Sequence, residues 1–512
     1  MHLKIGLITL QPGWKLLLDQ MGVWWESGIN WDSDLNEQYS LIIINYPLPE
    51  SHHIAQLESY LEKGGAVIDL GYILDSLEDI RFGRTFKKTF YPEPTDYYSP
   101  HEPIDIYRNI WLHPEGDLCE GAIHARRYNK GIAAFLGWEI NPLMMDERAT
   151  YKHFHHEGHP PPFERVSLVS KAEIRRFLFG LMKWLHVSRN IPFVHKWRFP
   201  GLAEQLFLFR VDTDFGTREE IAVLSDVTKT WEIPTTWFLH VAAHEAWLQD
   251  FPHAEADELA AHGYEHNATT ALVFNTRNIK QAVDRMKQNG IRPGGFTAPY
   301  GYWNPALAKA IASFQFRYSS EFALSYNHYP FFVESYDADP PLLQISVHPI
   351  CIGSFRRTKV SDEAMSSYFM DIITRFEALH EPVALYHHPK DEHHGVLNEI
   401  FSYITKKPFY TSTFIAFANW WRQRHQASFK AAWDGESFQI THVENMKETA
   451  LCSHETMNQA SLWSENSNQK IVPQKNITYT KPETRTTEQQ KKLRGFKPRL
   501  IKQVLLDLIY RP

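Results

Sequence analysis

The chain has 512 residues, of which 43% are hydrophobic and 22% are charged, so we expect a folded protein of about two to four domains. Its formal net charge of −7 gives no electrostatic reason to bind nucleic acid, so we expect no nucleic-acid partner. The cysteines, Cys119, Cys351 and Cys452, lie far apart and outside any CxxC spacing, which argues against a disulfide framework or a zinc–thiolate site and favours a reducing compartment.

The first predicted strand, Lys4–Leu10, is apolar but lacks the basic start, longer apolar region and small-residue cleavage site of a signal peptide. No uncharged apolar run in the chain approaches the ~20 residues that a membrane-spanning helix requires. We therefore expect a cytoplasmic protein, either soluble or peripheral to a membrane.

Residues 1–192 alternate short apolar strands with helical stretches, which indicates βαβ units and a parallel sheet. The segments Tyr39–Asn45 and Leu57–Ile68 resemble the flavodoxin-like sheets of class I glutamine amidotransferase-like domains. Catalytic members of that group carry a cysteine on a tight strand-to-helix elbow, and no cysteine here lies in such a Gly-flanked turn. The resemblance therefore implies a non-catalytic α/β domain for binding or assembly.

A histidine-rich stretch, Tyr151–Pro162, lies near the end of this first domain. Its four histidines would be able to gather a metal ion, and an ordinary surface loop is the alternative. The histidines are His153, His155, His156 and His159. The Ile191-Pro192 and Phe199-Pro200 pairs then mark a linker.

From about residue 200 a new alternation of strands and helices begins, and it continues to about residue 427. The stretch Leu206–Gly216 predicts a buried strand that ends in two carboxylates. Because side chains alternate along a strand, Arg210, Asp212 and Asp214 share one face, with the carboxylates ~6 to 7 Å apart. One acid of such a pair can bind a metal while the other acts as a base.

About fifty residues later, His262 and His266 are spaced at i and i+4, which predicts that both imidazoles lie on one side of a helical turn and suits a divalent metal. The same five residues fit the His-x-x-Glu-His pattern of inverzincin peptidases, in which Glu265 would be the base. Both interpretations are open at this point.

The order of these motifs is similar to that of the polysaccharide deacetylase family, also called the NodB-homology domain or carbohydrate esterase family 4. Asp212-Thr213-Asp214 resembles the family's first motif, and His262 with His266 resembles its second. The resemblance covers residues 205 to 425 and rests on three further segments: Ile233–Leu239, Phe296–Gly301 and Val383–Pro389.

The resemblance implies a distorted (β/α) barrel over residues 200–427. It also implies a divalent metal ion, with Zn²⁺ preferred over Co²⁺ or Ni²⁺, held by Asp214, His262 and His266. Such an ion keeps one position open for water and polarises an amide carbonyl.

The same resemblance assigns the catalytic groups. Asp212 is expected to take the proton of the attacking water, and the backbone N–H of Tyr300 is expected to stabilise the oxyanion. A histidine must protonate the departing amine. We expect His388 in this role, with His387 as the alternative, because strand alternation lets only one of them face the pocket.

The sequence departs from the family pattern at two positions. Thr297 stands where the family has an arginine beside the catalytic aspartate, and we expect either that Arg210 replaces it or that Arg210 pairs with another acid. The family's fourth-motif aspartate has no clear counterpart, and Glu321 is the nearest candidate.

The C-terminal part changes pattern again. Residues 428–490 predict a small antiparallel β module or an irregular segment. Residues 491–512 predict a basic amphipathic tail helix, which either lies on an anionic membrane surface or docks on the protein with its basic face in solvent.

The sequence therefore predicts a metal-dependent hydrolase that removes N-acetyl groups from a glycan or a glycan precursor, so that an acetylated carbohydrate is its expected substrate. Three alternatives stay open. They are a metal amidohydrolase acting on a small non-sugar amide, an inverzincin-type peptidase, and an inactive glycan-binding module.

Overall fold

The structure is a computed structural model that describes residues 1–494 except 49, 74–81, 117–118, 334–340, 356–358 and 466–469. Its strands are β1 (Ile5–Leu7), β2 (Trp25–Ser27), β3 (Leu41–Ile44), β4 (Ala66–Asp69), β5 (Gly83–Phe90), β6 (Ile104–Leu112), β7 (Ile123–Tyr128), β8 (Gly131–Leu136), β9 (Ala149–His153), β10 (Phe163–Ser167), β11 (Phe193–Lys196), β12 (Gln205–Asp212), β13 (Thr235–Leu239), β14 (Glu258–Ala261), β15 (Gly295–Phe296), β16 (Tyr318–Ser319), β17 (Phe331–Val333), β18 (Leu342–Gln344), β19 (Val383–His387), β20 (Phe409–Ser412), β21 (Ser428–Trp433), β22 (Phe438–Glu444), β23 (Leu451–His454), β24 (Gln459–Glu465) and β25 (Ile471–Thr478). Its α-helices are α1 (Pro12–Met21), α2 (Leu35–Gln38), α3 (His52–Glu62), α4 (Ile140–Met144), α5 (Lys171–Val187), α6 (Arg218–Thr230), α7 (Val241–His244), α8 (Leu272–Gln288), α9 (Pro305–Ala312), α10 (Asp362–Ala378), α11 (His394–Thr405), α12 (Phe414–Gln426) and α13 (Thr487–Arg494).

The chain forms two compact units. Unit 1 contains the described residues within 1–146, 169–202 and 422–490, and unit 2 contains those within 147–168, 203–421 and 491–494. These units differ from the domain boundaries predicted from the sequence, because residues 147–168 belong to unit 2 and residues 428–490 belong to unit 1. The predicted boundaries followed chain order, whereas compactness depends on which strands pair.

Unit 1 contains a six-stranded sheet in the order β2-β1-β3-β4-β8-β7, in which every pair except β7–β8 is parallel. Its first five strands follow the doubly wound order of flavodoxin-like folds. Strand β3 is buried along its whole length, as expected for a parallel strand covered on both faces. The predicted parallel sheet is present, and the amidotransferase-like identity of this region stays a prediction.

The C-terminal strands of unit 1 do not form a module of their own. Strands β23, β24 and β25 continue an antiparallel sheet that begins with β11, in the order β11-β23-β24-β25, while β21 pairs with β22. The β structure predicted for residues 428–490 is therefore present, but its sheet is completed by a strand from before residue 200.

Unit 2 is organised around a nine-stranded, curled half-barrel sheet. Strand β12 pairs in parallel with β13, β19 and β20, and β13 pairs in parallel with β14. The carboxyl ends of β12, β14 and β19 therefore lie at one edge of the sheet. The antiparallel hairpin β9–β10 also belongs to this unit.

Among the described residues, no helix combines the length and the apolar character needed to cross a membrane. Helix α13 is described as far as Arg494, and most of the tail helix predicted for residues 491–512 lies outside the described residues. Its proposed contact with a membrane surface therefore stays a prediction.

Candidate active site

Asp212 is the last residue of β12, and a buried arginine holds it. Nη2 of Arg210 donates to Oδ2 of Asp212 at 2.9 Å, while Nη1 donates to the Ser320 carbonyl at 2.7 Å. The guanidinium also lies over the rings of Phe238 and Tyr386, 5.3 and 5.1 Å from their centroids. Of the two partners that the sequence left open for Arg210, the structure places Asp212 beside it.

Asp214 lies beyond the strand, in a turn where its φ is 42°. Its Oδ1 atom is 2.9 Å from Nε2 of His266 and 3.2 Å from Nε2 of His262, although it has no hydrogen bond of acceptable geometry within the described structure. Burial works to raise the pKa of Asp214, but the imidazoles of His388, His262 and His266 hold it well below its usual value.

Two histidines that the sequence analysis did not single out support this turn. Nδ1 of His240 lies 2.6 Å from the Asp214 carbonyl oxygen, and Nε2 of His244 lies 2.8 Å from Oγ1 of Thr213. Burial lowers the pKa of each histidine to about 4, so both are neutral hydrogen-bonding groups at pH 7. Both belong to the segment His240–His244, which directly follows β13. Their position next to the end of a predicted strand, Ile233–Leu239, is the sequence feature that could have identified them.

The prediction of a helical turn for His262 and His266 is wrong. The two residues follow β14 in an irregular bend, in which Gly263 has a φ of 90° and the side chain of Asn278 accepts hydrogen bonds from the backbone N–H groups of Tyr264 and Glu265. This bend, and not helical periodicity, brings the imidazoles together. Nδ1 of His262 lies 2.8 Å from the Thr297 carbonyl oxygen, which orients its Nε2 towards Asp214.

The structure separates the two adjacent histidines at the end of β19. His388 lines the cavity at the strand ends, with its Nε2 atom 3.8 Å from Oδ2 of Asp214. His387 is fully buried on the other face of the strand, and burial lowers its pKa to about 3. His388 is therefore the histidine that faces Asp214.

Asp391 and Cys351 complete the surroundings of His388, and the sequence analysis missed both. Oδ2 of Asp391 lies 2.9 Å from Nδ1 of His388 and accepts the N–H of Gly353 at 3.1 Å. The Cys351 sulfur lies 3.7 Å from the same imidazole nitrogen. Gly353 is required here, because a Cβ atom at this position would lie 2.4 Å from the Asp391 carboxylate. An acidic residue three positions after a histidine at a strand end is the sequence feature that could have identified Asp391.

These groups line one cavity of about 320 Å³ in unit 2. The hairpin β9–β10 contributes Tyr151, Phe163 and Glu164 to its wall. Phe215 and Tyr300, with 56% and 45% of their surfaces exposed, form a second aromatic part of the lining. The cavity thus combines charged groups at its base with aromatic rings on its walls.

The remaining predicted positions have different surroundings. Tyr300 has a φ of 61°, and its ring lies edge-on to His266 at 4.9 Å. Thr297 is buried and donates to the Ser320 carbonyl at 2.9 Å. Glu321 is buried, accepts the N–H of Ala298 at 3.2 Å, and has a pKa that burial raises to about 7. The carboxylate next to His388 belongs to Asp391 and not to Glu321.

The residues of the competing hypotheses lie elsewhere. Glu265, the base of the peptidase hypothesis, is exposed and does not line the cavity. In the histidine-rich stretch, Nε2 of His156 lies 3.0 Å from the Ala364 carbonyl oxygen, and His155 pairs with Glu157 at 2.8 Å. Within the described ranges, the groups of three or more possible metal ligands include none of the four histidines of that stretch.

Asp214, His262 and His266 fit a divalent metal ion. Their donor atoms lie within 4.8 Å of one another, and the two short contacts of Oδ1 of Asp214 lack hydrogen-bond geometry. For ligand bonds of about 2.0–2.1 Å in a tetrahedral site, neighbouring donor atoms are expected about 3.3 Å apart. An oxygen and two imidazole nitrogens with one further position for water form a donor set typical of catalytic zinc.

Comparisons with known proteins found similar solved structures for part of the chain. A polysaccharide deacetylase structure from Mycobacterium smegmatis has a TM-score of 0.38 and 15% identity, covering 44% of this chain and 93% of that one. One from Pseudomonas aeruginosa PAO1 has a TM-score of 0.38 and 14% identity, covering 44% and 92%. A peptidoglycan deacetylase from Bacillus subtilis has a TM-score of 0.31 and 14% identity, covering 43% and 93%. No protein-family model and no curated protein sequence matches the chain.

Proposed function

We propose that this protein is a metal-dependent amide hydrolase that removes acetyl groups from an N-acetylated glycan. The observation that carries the proposal is the convergence of Asp214, His262 and His266, with Asp212 and His388 lining the same cavity. A divalent cation held by the first three residues, with zinc as the preferred ion, would polarise the amide carbonyl and acidify a water molecule.

Asp212 is the proposed base. Arg210 occupies its Oδ2 atom, whereas its Oδ1 atom is buried and has no hydrogen-bond partner in the described part of the chain. That oxygen is therefore the group suited to accept the proton of a water that attacks the acetyl carbon. We also propose that the N–H of Tyr300 supports the developing oxyanion.

His388 is the proposed acid. Asp391 accepts its Nδ1–H, so the second proton of the imidazolium form lies on Nε2, and this proton is delivered to the leaving nitrogen when the C–N bond breaks. Burial opposes its charged form, but Asp214, Cys351 and Asp391 raise the pKa of His388 well above its ordinary value. The imidazolium form donates this proton, and the products are acetate and a free amine.

The aromatic lining supports a sugar as the part of the substrate that carries the amide. Tyr151 and Phe163 face the cavity from the hairpin, and Phe215 leaves 56% of its surface exposed. Such rings pack against the apolar face of a sugar. The hydroxyl of Tyr151 is buried and has no hydrogen-bond partner within the described structure, so it is suited to bind a substrate hydroxyl.

The test is acetate release from N-acetylglucosamine oligomers by the zinc-loaded full chain. We expect turnover in the wild type, a loss of at least about 100-fold for Asp212→Asn and for His388→Gln, and unchanged turnover for Glu265→Gln. Bound zinc without turnover on any acetylated sugar would overturn the proposal in favour of an inactive glycan-binding module.

The same assay separates the other two alternatives. A peptidase would lose its activity on Glu265→Gln and keep it on Asp212→Asn. A small-amide hydrolase would release ammonia from ureides and no acetate from acetylated sugars. Either result contradicts the deacetylase proposal.

A further inference from the structure

A second group of metal-ligating side chains lies in unit 1, on the antiparallel pair β11–β23. His195 of β11 is directly opposite Cys452 of β23, and His454 follows two residues later. Because alternate residues of a strand share a face and opposite residues are close neighbours, all three side chains lie together on one face of the sheet. Each is at most 1% exposed.

The orientation of the rings is set by the backbone. Nδ1 of His195 lies 2.8 Å from the Lys196 carbonyl oxygen, so this nitrogen carries the proton and Nε2 presents a lone pair. That Nε2 atom is 3.2 Å from Nε2 of His454, which in turn is 3.6 Å from the Cys452 sulfur. All three donor atoms lie within 4.8 Å of one another.

These separations match those of ligands around one ion. With bonds of about 2.0–2.1 Å to nitrogen and about 2.3 Å to sulfur, a tetrahedral centre places two nitrogens about 3.3 Å apart and a nitrogen and a sulfur about 3.6 Å apart. Hydrogen bonds would also account for the 3.2 Å contact between the two nitrogens and the 3.6 Å contact to the sulfur, so the experiment below separates a metal site from a hydrogen-bonded triad.

The donor set and its surroundings restrict the kind of ion. Arg198 and Lys183 act electrostatically on Cys452, and the Arg198 guanidinium lies over the rings of Phe179 and Trp197 at 5.2 and 5.0 Å. These cations favour the thiolate form of Cys452, which burial and Glu455 oppose. A thiolate ligand offsets much of the charge of a soft ion, and thiolate with imidazole selects Zn²⁺ or Cu⁺ among the common metals.

We propose that His195, Cys452 and His454 form a second, structural metal site for a thiophilic cation, either Zn²⁺ or Cu⁺. The site joins strands that lie more than 250 residues apart in the chain, and so closes a long loop of the chain. Metal binding to a buried set of ligands from distant segments stabilises the folded state. The site is independent of the catalytic cation proposed for unit 2.

The experiment uses the full chain with Asp214→Ala, which removes a ligand of the first site. We expect this variant to retain one equivalent of zinc or copper by mass spectrometry, and elemental analysis identifies which. After cobalt substitution it should show a sulfur-to-cobalt charge-transfer band. The band and the metal should be lost on adding Cys452→Ser or His195→Gln, and kept on adding Cys351→Ser as the matched control.

X-ray absorption of the metal in the Asp214→Ala protein needs no change at the cluster itself, and so is unaffected by any folding defect of the Cys452 variant. We expect one sulfur and two nitrogen donors. A metal-free Asp214→Ala protein, a metal with only nitrogen and oxygen donors, or a band that disappears with Cys351→Ser would overturn the proposal.

Discussion

The contact between Asp391 and His388 allows a direct test of how the leaving nitrogen receives its proton. Oδ2 of Asp391 lies 2.9 Å from Nδ1 of His388, and the Asp391 side chain is only 5% exposed. Asp391→Asn keeps the shape of the side chain and removes its charge. A hydrogen bond to a charged group contributes about 1.5–3 kcal/mol, so we expect kcat to fall by ~10- to 150-fold at neutral pH.

The pH dependence distinguishes a proton-transfer role from a structural one. Against the effect of burial, Asp214 and Asp391 raise the pKa of His388, and the protonated form is the active acid. Activity is therefore lost as the pH rises through this pKa. Asp391→Asn lowers the pKa, so the alkaline limb of the kcat profile should move to lower pH.

The assay is acetate release measured across the pH range for the wild type, Asp391→Asn and a matched control. The control is Asp362→Asn, because Asp362 makes the same kind of contact with His393, at 2.7 Å, outside the cavity. We expect its profile to match the wild type. An Asp391→Asn enzyme that is slower by one factor at every pH, with its alkaline limb unmoved, would refute the reasoning.

Three further predictions concern stability and substrate binding. Arg210→Met leaves the buried Asp212 carboxylate without its ion-pair partner, so the free energy of unfolding in urea titrations should fall by about 3–5 kcal/mol. A fall of less than about 1 kcal/mol would contradict this prediction. Tyr151→Phe removes one hydroxyl from the cavity wall and should raise KM for acetylated oligomers by ~2- to 12-fold without changing kcat. A fall in kcat alone would argue against a contact between this hydroxyl and the substrate. Burial raises the pKa of Glu321 from 4.5 to about 7, so the free energy of unfolding of the wild type should fall as the pH rises through that window and the buried carboxyl ionises. Glu321→Gln should show a smaller fall between about pH 5 and 7, and equal falls in the two proteins would exclude this effect.

The local pattern of the sequence was sufficient for several of these features. Strand alternation placed Arg210 and Asp212 on one face, and the structure shows them in contact. The same rule required that only one of His387 and His388 face the pocket, without deciding which. These arguments succeed because the orientation of side chains along a strand depends only on the backbone.

Other features depend on contacts that no local pattern contains. The i,i+4 spacing of His262 and His266 suggested a helix, but the backbone bends at Gly263 and is held by Asn278 from a later helix. The hairpin carrying Tyr151 belongs to unit 2, although it precedes the linker in the chain.

The sequence by itself indicated the alternation of strands and helices and the mainly parallel pairing of the first sheet, because hydrophobic periodicity is a local property. The order of its motifs, through their resemblance to a known family, indicated most of the residues that carry the proposed chemistry. Only the tertiary structure decided which groups meet: His195 lies opposite Cys452, and His388 meets Asp391. Spacing in the chain therefore argued against a thiolate site that strand pairing makes possible. Pairing between distant strands depends on how whole sheets bury their surfaces, and a motif of a few residues does not contain that information.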